Sequence, residues 1–158
     1  MSMEGEFRPS KVFLGADHGG LEAKNQLRAE LQSEFTVIDM GPTQLDPADD
    51  FTPFAESVAR AVVAEPGSMG VLVCRSGEGM AIAANKIDGV RAALVWNQVV
   101  SKETREDNDS NVLSLPADHL SLAEMSAIAR TWLTTPFSGK ERHKRRLEQI
   151  SDLEERNK

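Results

Sequence analysis

The chain of 158 residues has no tyrosine, one cysteine, three histidines, and only six phenylalanines and two tryptophans. One thiol cannot close an internal disulfide, and three scattered histidines have no zinc-type spacing, so a disulfide scaffold and a structural zinc site are excluded. The expectation is a cytoplasmic, metal-free protein. No apolar run approaches the roughly 20 residues that cross a membrane, so no membrane partner is expected. Residues 1–10 lack the apolar core of a secretory signal and read as a disordered leader. Positive charge is also short: the net charge is −7, which argues against general nucleic-acid binding. A chain this long can bury one good core but not two ordinary ones, so residues 11–139 are read as one domain. Residues 140–158 form a basic helix of the same domain.

Five short apolar runs are present, at residues 11–15, 35–40, 69–74, 90–95 and 111–115, and helical patterns alternate with them. Alternation of this kind predicts an α/β fold, a Rossmann-like three-layer sandwich with a five-stranded parallel sheet covered on both faces. Leu21, Leu27 and Leu31 mark a first helix, and Phe54, Val58, Ala61 and Val62 a second. A third runs over residues 80–86, a polar fourth over 98–107, and a fifth carries Leu122, Met125, Ile128 and Trp132. Pro136 and Gly139 then break the pattern before a charged helix from about Lys140 to Arg156. The longest piece without a pattern is residues 41–53. The last helix has only Leu147, Ile150 and Leu153 as apolar residues, a stripe thin enough to predict packing against a partner subunit.

The only thiol stands where an apolar strand meets a glycine-punctuated turn, in Cys74-Arg75-Ser76-Gly77-Glu78-Gly79-Met80. Ligands of open α/β sheets sit beyond the carboxyl ends of strands, where the next helix presents unpaired N–H groups. A lone cysteine at a strand end is commonly a small core hydrophobe, but the surrounding glycines favour a reactive site. Asp17 and His18 end the first strand before Gly19-Gly20; they read either as a turn and helix cap or as ligand-facing groups. Lys140, Arg142, Lys144, Arg145 and Arg146 concentrate positive charge in seven residues of an acidic chain, which points to a local anion site.

Four stretches taken in order, Gly15 to Gly20, Cys74 to Lys86, Asn108 to Leu113 and Arg142 to Arg146, resemble the ribose-5-phosphate isomerase B and galactose-6-phosphate isomerase family. The resemblance implies an enzyme, a sugar-phosphate aldose-ketose isomerase of the ribose 5-phosphate/ribulose 5-phosphate type working through a cis-enediolate. It implies a homodimer in which each site borrows residues from the neighbouring subunit, and leaves dimer versus tetramer open. Neither metal nor nucleotide cofactor is implied; the partner is a small sugar phosphate. By the same resemblance Cys74 is the carbon base, supported by the Ser76 hydroxyl, and the amides of Gly77, Glu78, Gly79 and Met80 hold the enediolate oxygen. Asp17 handles substrate hydroxyls, His18 the ring oxygen or phosphate, Asn108 reaches the substrate from the partner, and Arg142 and Arg146 bind phosphate. An ordinary thiol is mostly protonated at neutral pH, so the helix N-terminus and nearby cations are expected to lower its pKa.

Three positions depart from the family pattern. Asp107 stands where the family has a ring-opening histidine, and a carboxylate is an ordinary proton donor at neutral pH only if its pKa is raised. Asp118 stands where the family has a phosphate-binding arginine. Arg75 stands where it has glycine, and is read as replacing part of the missing positive charge. The departures leave open a different four- to six-carbon sugar phosphate, including a tetrose 4-phosphate that needs no ring opening, or a non-catalytic sugar-phosphate-binding protein. A dinucleotide fold is disfavoured because Gly77-Glu78-Gly79 lacks the third glycine and follows the wrong strand. His143 has no evident role, and His119 is expected on a surface loop.

Overall fold

A computed structural model describes residues 5–158. Five strands, β1 (Val12–Ala16), β2 (Val37–Asp39), β3 (Met69–Cys74), β4 (Ala92–Leu94) and β5 (Val112–Pro116), form one parallel sheet in the order β2-β1-β3-β5-β4. Six helices accompany them: α1 (Leu21–Leu31), α2 (Phe51–Ala64), α3 (Glu78–Ala84), α4 (Gln98–Asn108), α5 (Leu122–Thr134) and α6 (Glu141–Arg156). The predicted Rossmann-like sandwich is the observed architecture.

Side chains alternate across the sheet, as the two-residue period of a strand demands. Val71 and Val73 face the layer of α1, α4 and α5, with Leu27, Ile128 and Trp132; Leu72 and Cys74 face the layer of α2 and α3, with Val58 and Met80. Both faces of β1 and β3 are therefore buried, and their sequences read as unbroken apolar runs for that reason.

Two expectations need correction. The helix α2 begins at Phe51, inside the segment expected to be patternless, because Pro53 lies in its first turn, where its missing N–H has no intrahelical partner to lose. The leader is tied down from Phe7 onward: Phe7 packs on the core, the Arg105 guanidinium lies 5.0 Å from its ring centroid, and Ser10 N donates to Gly67 O. Residues 1–4 of that leader lie outside the described residues.

The helix α6 lies along the amino edge of the sheet. His143 near its start meets Asp107 at the end of α4, and Glu154 near its end accepts from Gly89 N just before β4. Ile150 and Leu153 stay exposed on it.

Candidate active site

The strand order places a topological switch point between β1 and β3: the chain leaves β1 toward β2 on one side, then crosses to β3 on the other. A crevice opens beyond the carboxyl ends at such a point. Its walls here are the β1–α1 loop, carrying Asp17 and His18, and the β3–α3 loop, carrying Cys74 to Gly77.

Close approach of these loops depends on two glycines. A Cβ on Gly20 would stand 2.1 Å from the Val73 carbonyl oxygen, so only glycine lets α1 start against the end of β3. Gly77 has φ of +78° and a Cβ there would meet Leu94 at 2.5 Å, so it alone permits the turn that follows Cys74.

That turn aims at the sulfur. Gly77 N donates to Cys74 Sγ at 3.1 Å, and Glu78 N donates to Ser76 Oγ at 3.4 Å. Cys74 itself is 5% exposed. Burial pushes its thiol above the usual value and the nearby Asp17 charge adds to this, while N–H groups of Gly77, Met80 and Ser76 only partly offset the rise. The expected lowering of the thiol pKa is thus reversed within a single protomer, because desolvation outweighs three amide dipoles and no described cation contacts the sulfur.

Opposite the thiol, Asp17 is buried and accepts from Gly20 N at 3.1 Å. His18 is held by Asp49, whose Oδ1 accepts from both the His18 backbone N at 3.0 Å and ring Nδ1 at 2.6 Å. This contact raises the His18 pKa, chiefly through the side-chain hydrogen bond. Beside His18 a cavity of about 500 Å³ opens between Gly19, Asn25 and Leu45. Asp49 was invisible to sequence reading, since it lies 31 residues from its partner in a segment without pattern. Asp17, His18 and Asp49 bring ligand atoms within 4.8 Å of one another. The 2.6 Å hydrogen bond of His18 to Asp49 fills the space between two of them with a proton, where a cation would have to sit.

Arg75 and Asp118 meet at the rim. Arg75 Nε donates to Asp118 Oδ2 at 2.9 Å, and the arginine stem lies so close over Gly19 that a Cβ there would meet Arg75 Cγ at 2.3 Å. Gly79 lies under the Phe51 ring.

Asp107, Asn108, Arg142 and Arg146 stand elsewhere. Asn108 ends α4 just before β5, and Val112 of β5 pairs with Gly70 near the start of β3, whereas Pro116 pairs with Cys74. The sheet separates them by four strand steps, roughly 13 Å of rise. At that amino edge, His143 is 2% exposed, with Nε2 3.3 Å from Asp107 Oδ1 and 3.2 Å from Arg142 Nε, and its buried Nδ1 has no partner among the described residues. Arg142 and Arg146 are exposed and form no ion pair with a described residue. A cavity of about 510 Å³ on the same edge is lined by Arg91 and Arg105, both already tied to Asp109.

Fold and site together define a class: a parallel α/β sandwich with a buried thiol, a carboxylate and a carboxylate-held imidazole around its switch point. Residues 12–150 match the family model described as Ribose/Galactose Isomerase, and the chain belongs to that family of isomerases. It is 38% identical over 145 residues to ribose-5-phosphate isomerase B of Mycolicibacterium paratuberculosis, covering 91% of each chain. Among solved structures, it is similar to ribose-5-phosphate isomerase B from Mycoplasma genitalium with bound ribulose-5-phosphate (TM-score 0.88, 35% identity, 92% of this chain and 96% of that one). It is also similar to the type B ribose 5-phosphate isomerase of Trypanosoma cruzi (TM-score 0.90, 35% identity, 95% and 99%).

Proposed function

We propose that this chain interconverts an aldose phosphate and its ketose, of the ribose 5-phosphate/ribulose 5-phosphate type, with Cys74 as carbon base. The observation that carries this is a single thiol at the switch point, under a Gly77 amide and beside the Asp17 carboxylate, in a chain of the ribose/galactose isomerase family.

The thiolate takes the proton from the carbon beside the carbonyl. The C–H electron pair becomes the enediolate double bond, and negative charge moves to oxygen. The same sulfur returns the proton to the neighbouring carbon, while one hydroxyl proton passes between the two oxygens. Asp17 is placed for that oxygen-to-oxygen transfer, and the amides from Gly77 to Met80 stabilise the oxygen charge once substrate displaces them from the sulfur. His18 and Arg75 approach the anionic end of the substrate, and Ser76 orients the Glu78 amide.

Asn108, Arg142 and Arg146 serve the site of a second copy. Their placement at the sheet edge opposite Cys74 supports a homodimer in which the carboxyl edge of one subunit meets the amino edge of the other. The cations that the thiol lacks within one protomer would then arrive with the partner, lowering its pKa as the site is completed. Where the sugar is cyclic, the Asp107–His143 pair supplies the acid and base for ring opening. One thiol and no disulfide suit a cytoplasmic setting.

Exchange of substrate carbon-bound hydrogen in heavy water, over tetrose, pentose and hexose phosphates, tests the reading. Wild type should exchange with at least one sugar and Cys74→Ala with none while still binding it. Binding without exchange by wild type would support the second reading, a non-catalytic sugar-phosphate-binding protein, which the Asp107 and Asp118 departures favour.

A further inference from the structure

We propose that Asp49 is a positioning residue of this site, holding His18 as an imidazolium with Nε2 turned to the anionic end of the substrate. The proposal rests on the isomerase reading for the identity of that substrate and on geometry for the rest.

A single oxygen, Asp49 Oδ1, receives two N–H groups of one residue, the backbone N and ring Nδ1 of His18, at 3.0 and 2.6 Å. The backbone bond fixes where the residue sits, and the ring bond fixes which nitrogen bears the inner proton. Nε2 is left as the nitrogen free for a ligand, as in other sites where a carboxylate orients an imidazole.

Charge follows from the surroundings. The Asp49 side chain is 10% exposed and its second oxygen, Oδ2, is buried without a partner among the described residues. His18 is thus the only described group that neutralises this carboxylate. The groups facing the imidazole are Asp17 from its own loop, Asp49 from the segment before α2, and Arg75 from the β3–α3 loop. Two carboxylates oppose one guanidinium, and that guanidinium is engaged by Asp118. The balance raises the His18 pKa, with the Asp49 hydrogen bond as its largest cause. A cationic Nε2–H makes a hydrogen bond to phosphate of the stronger, charge-assisted kind.

Asp49 could instead serve only to staple the segment before α2 onto the first loop, and Asp49→Asn separates the two roles. Asparagine keeps an oxygen that accepts both N–H groups, so the staple survives, but it removes the charge. The chain has three histidines, so imidazole NMR resolves His18 directly. In D49N the His18 midpoint should fall toward the ordinary value of about 6.5. At a pH between the two measured midpoints, KM for the sugar phosphate should rise about tenfold, as one charge-assisted hydrogen bond becomes neutral, with kcat changed less. The pH above which KM climbs should fall with the NMR midpoint, while Tm at a pH above both measured midpoints stays close to wild type. An unmoved His18 midpoint, or a KM profile that ignores a moved one, overturns the proposal. The NMR titration needs no turnover. A wild type that isomerises nothing would overturn the functional reading, while the midpoint would still report whether Asp49 sets the charge of His18.

Discussion

Arg75 Nε and Asp118 Oδ2 lie 2.9 Å apart, bridging the loops after β3 and β5, and the Asp118 backbone N donates to Arg75 O at 3.0 Å beneath them. The two departures from the family pattern at these positions are therefore one feature. An arginine sits on the third loop and its counter-charge on the fifth, and together they are neutral. The side chains are 70% and 45% exposed, so solvent screens the ion pair and it adds little to folding. One edge of the guanidinium is spent on Asp118, which leaves the other for the anion that the proposed function requires.

Arg75→Gly should raise KM for a phosphorylated substrate several-fold with kcat and Tm nearly unchanged. Asp118→Ala should lower KM, because it releases the whole guanidinium. Steady-state kinetics over the sugar panel checks both, and equal KM in all three proteins would remove Arg75 from the site.

Burial and Asp17 hold the Cys74 thiol above its usual pKa. Asp17→Asn should therefore shift thiolate formation to lower pH, read as ultraviolet absorbance of the sole thiol or its alkylation rate. Turnover should nevertheless fall, because oxygen-to-oxygen proton transfer is lost. Cys74→Ser should lose about 10²- to 10⁴-fold in kcat, the range of one general base.

Mixing two inactive variants tests the shared site. Cys74→Ala spoils one edge of a protomer and Arg142→Ala/Arg146→Ala the other, so a heterodimer of the two keeps one intact site of two. Subunit exchange should restore about a quarter of wild-type activity, as random pairing into dimers requires. Mixtures that stay inactive after verified exchange would place both sets of residues in separate sites.

Lys24 is wholly buried, with Nζ donating to Asp39 Oδ1 and Pro42 O, each at 2.7 Å. Lys24→Met should cost about 3 kcal/mol in urea unfolding, since Asp39 is left 14% exposed with Arg28 as its remaining cation and Gly41 N as its remaining backbone donor. Burial raises the Asp39 pKa, but the bonds from Lys24 and Gly41 more than reverse this and leave it low. Its folded pKa lies below its unfolded value, so its stabilisation is complete above about pH 4 and fades as pH falls through the folded value. Asp39→Asn should flatten that acid limb.

Strands, helices and the thiol loop were legible in the chain because each is written in neighbours: apolar runs, helical spacing, and glycines directly after Cys74. Edges were less so; the segment before α2 hid three helical residues because proline in a first turn reads like proline in a loop. Local pattern tells which residues are buried, not which distant residue each will meet. Asp49 with His18, Arg75 with Asp118 across 43 residues, and Asp107 with His143 are all such pairs. Strand order is of the same kind, since it sets the switch point between β1 and β3, while the parallel direction of β3 and β5 sets Cys74 and Asn108 at opposite edges of the sheet, the separation on which the proposed two-subunit site depends.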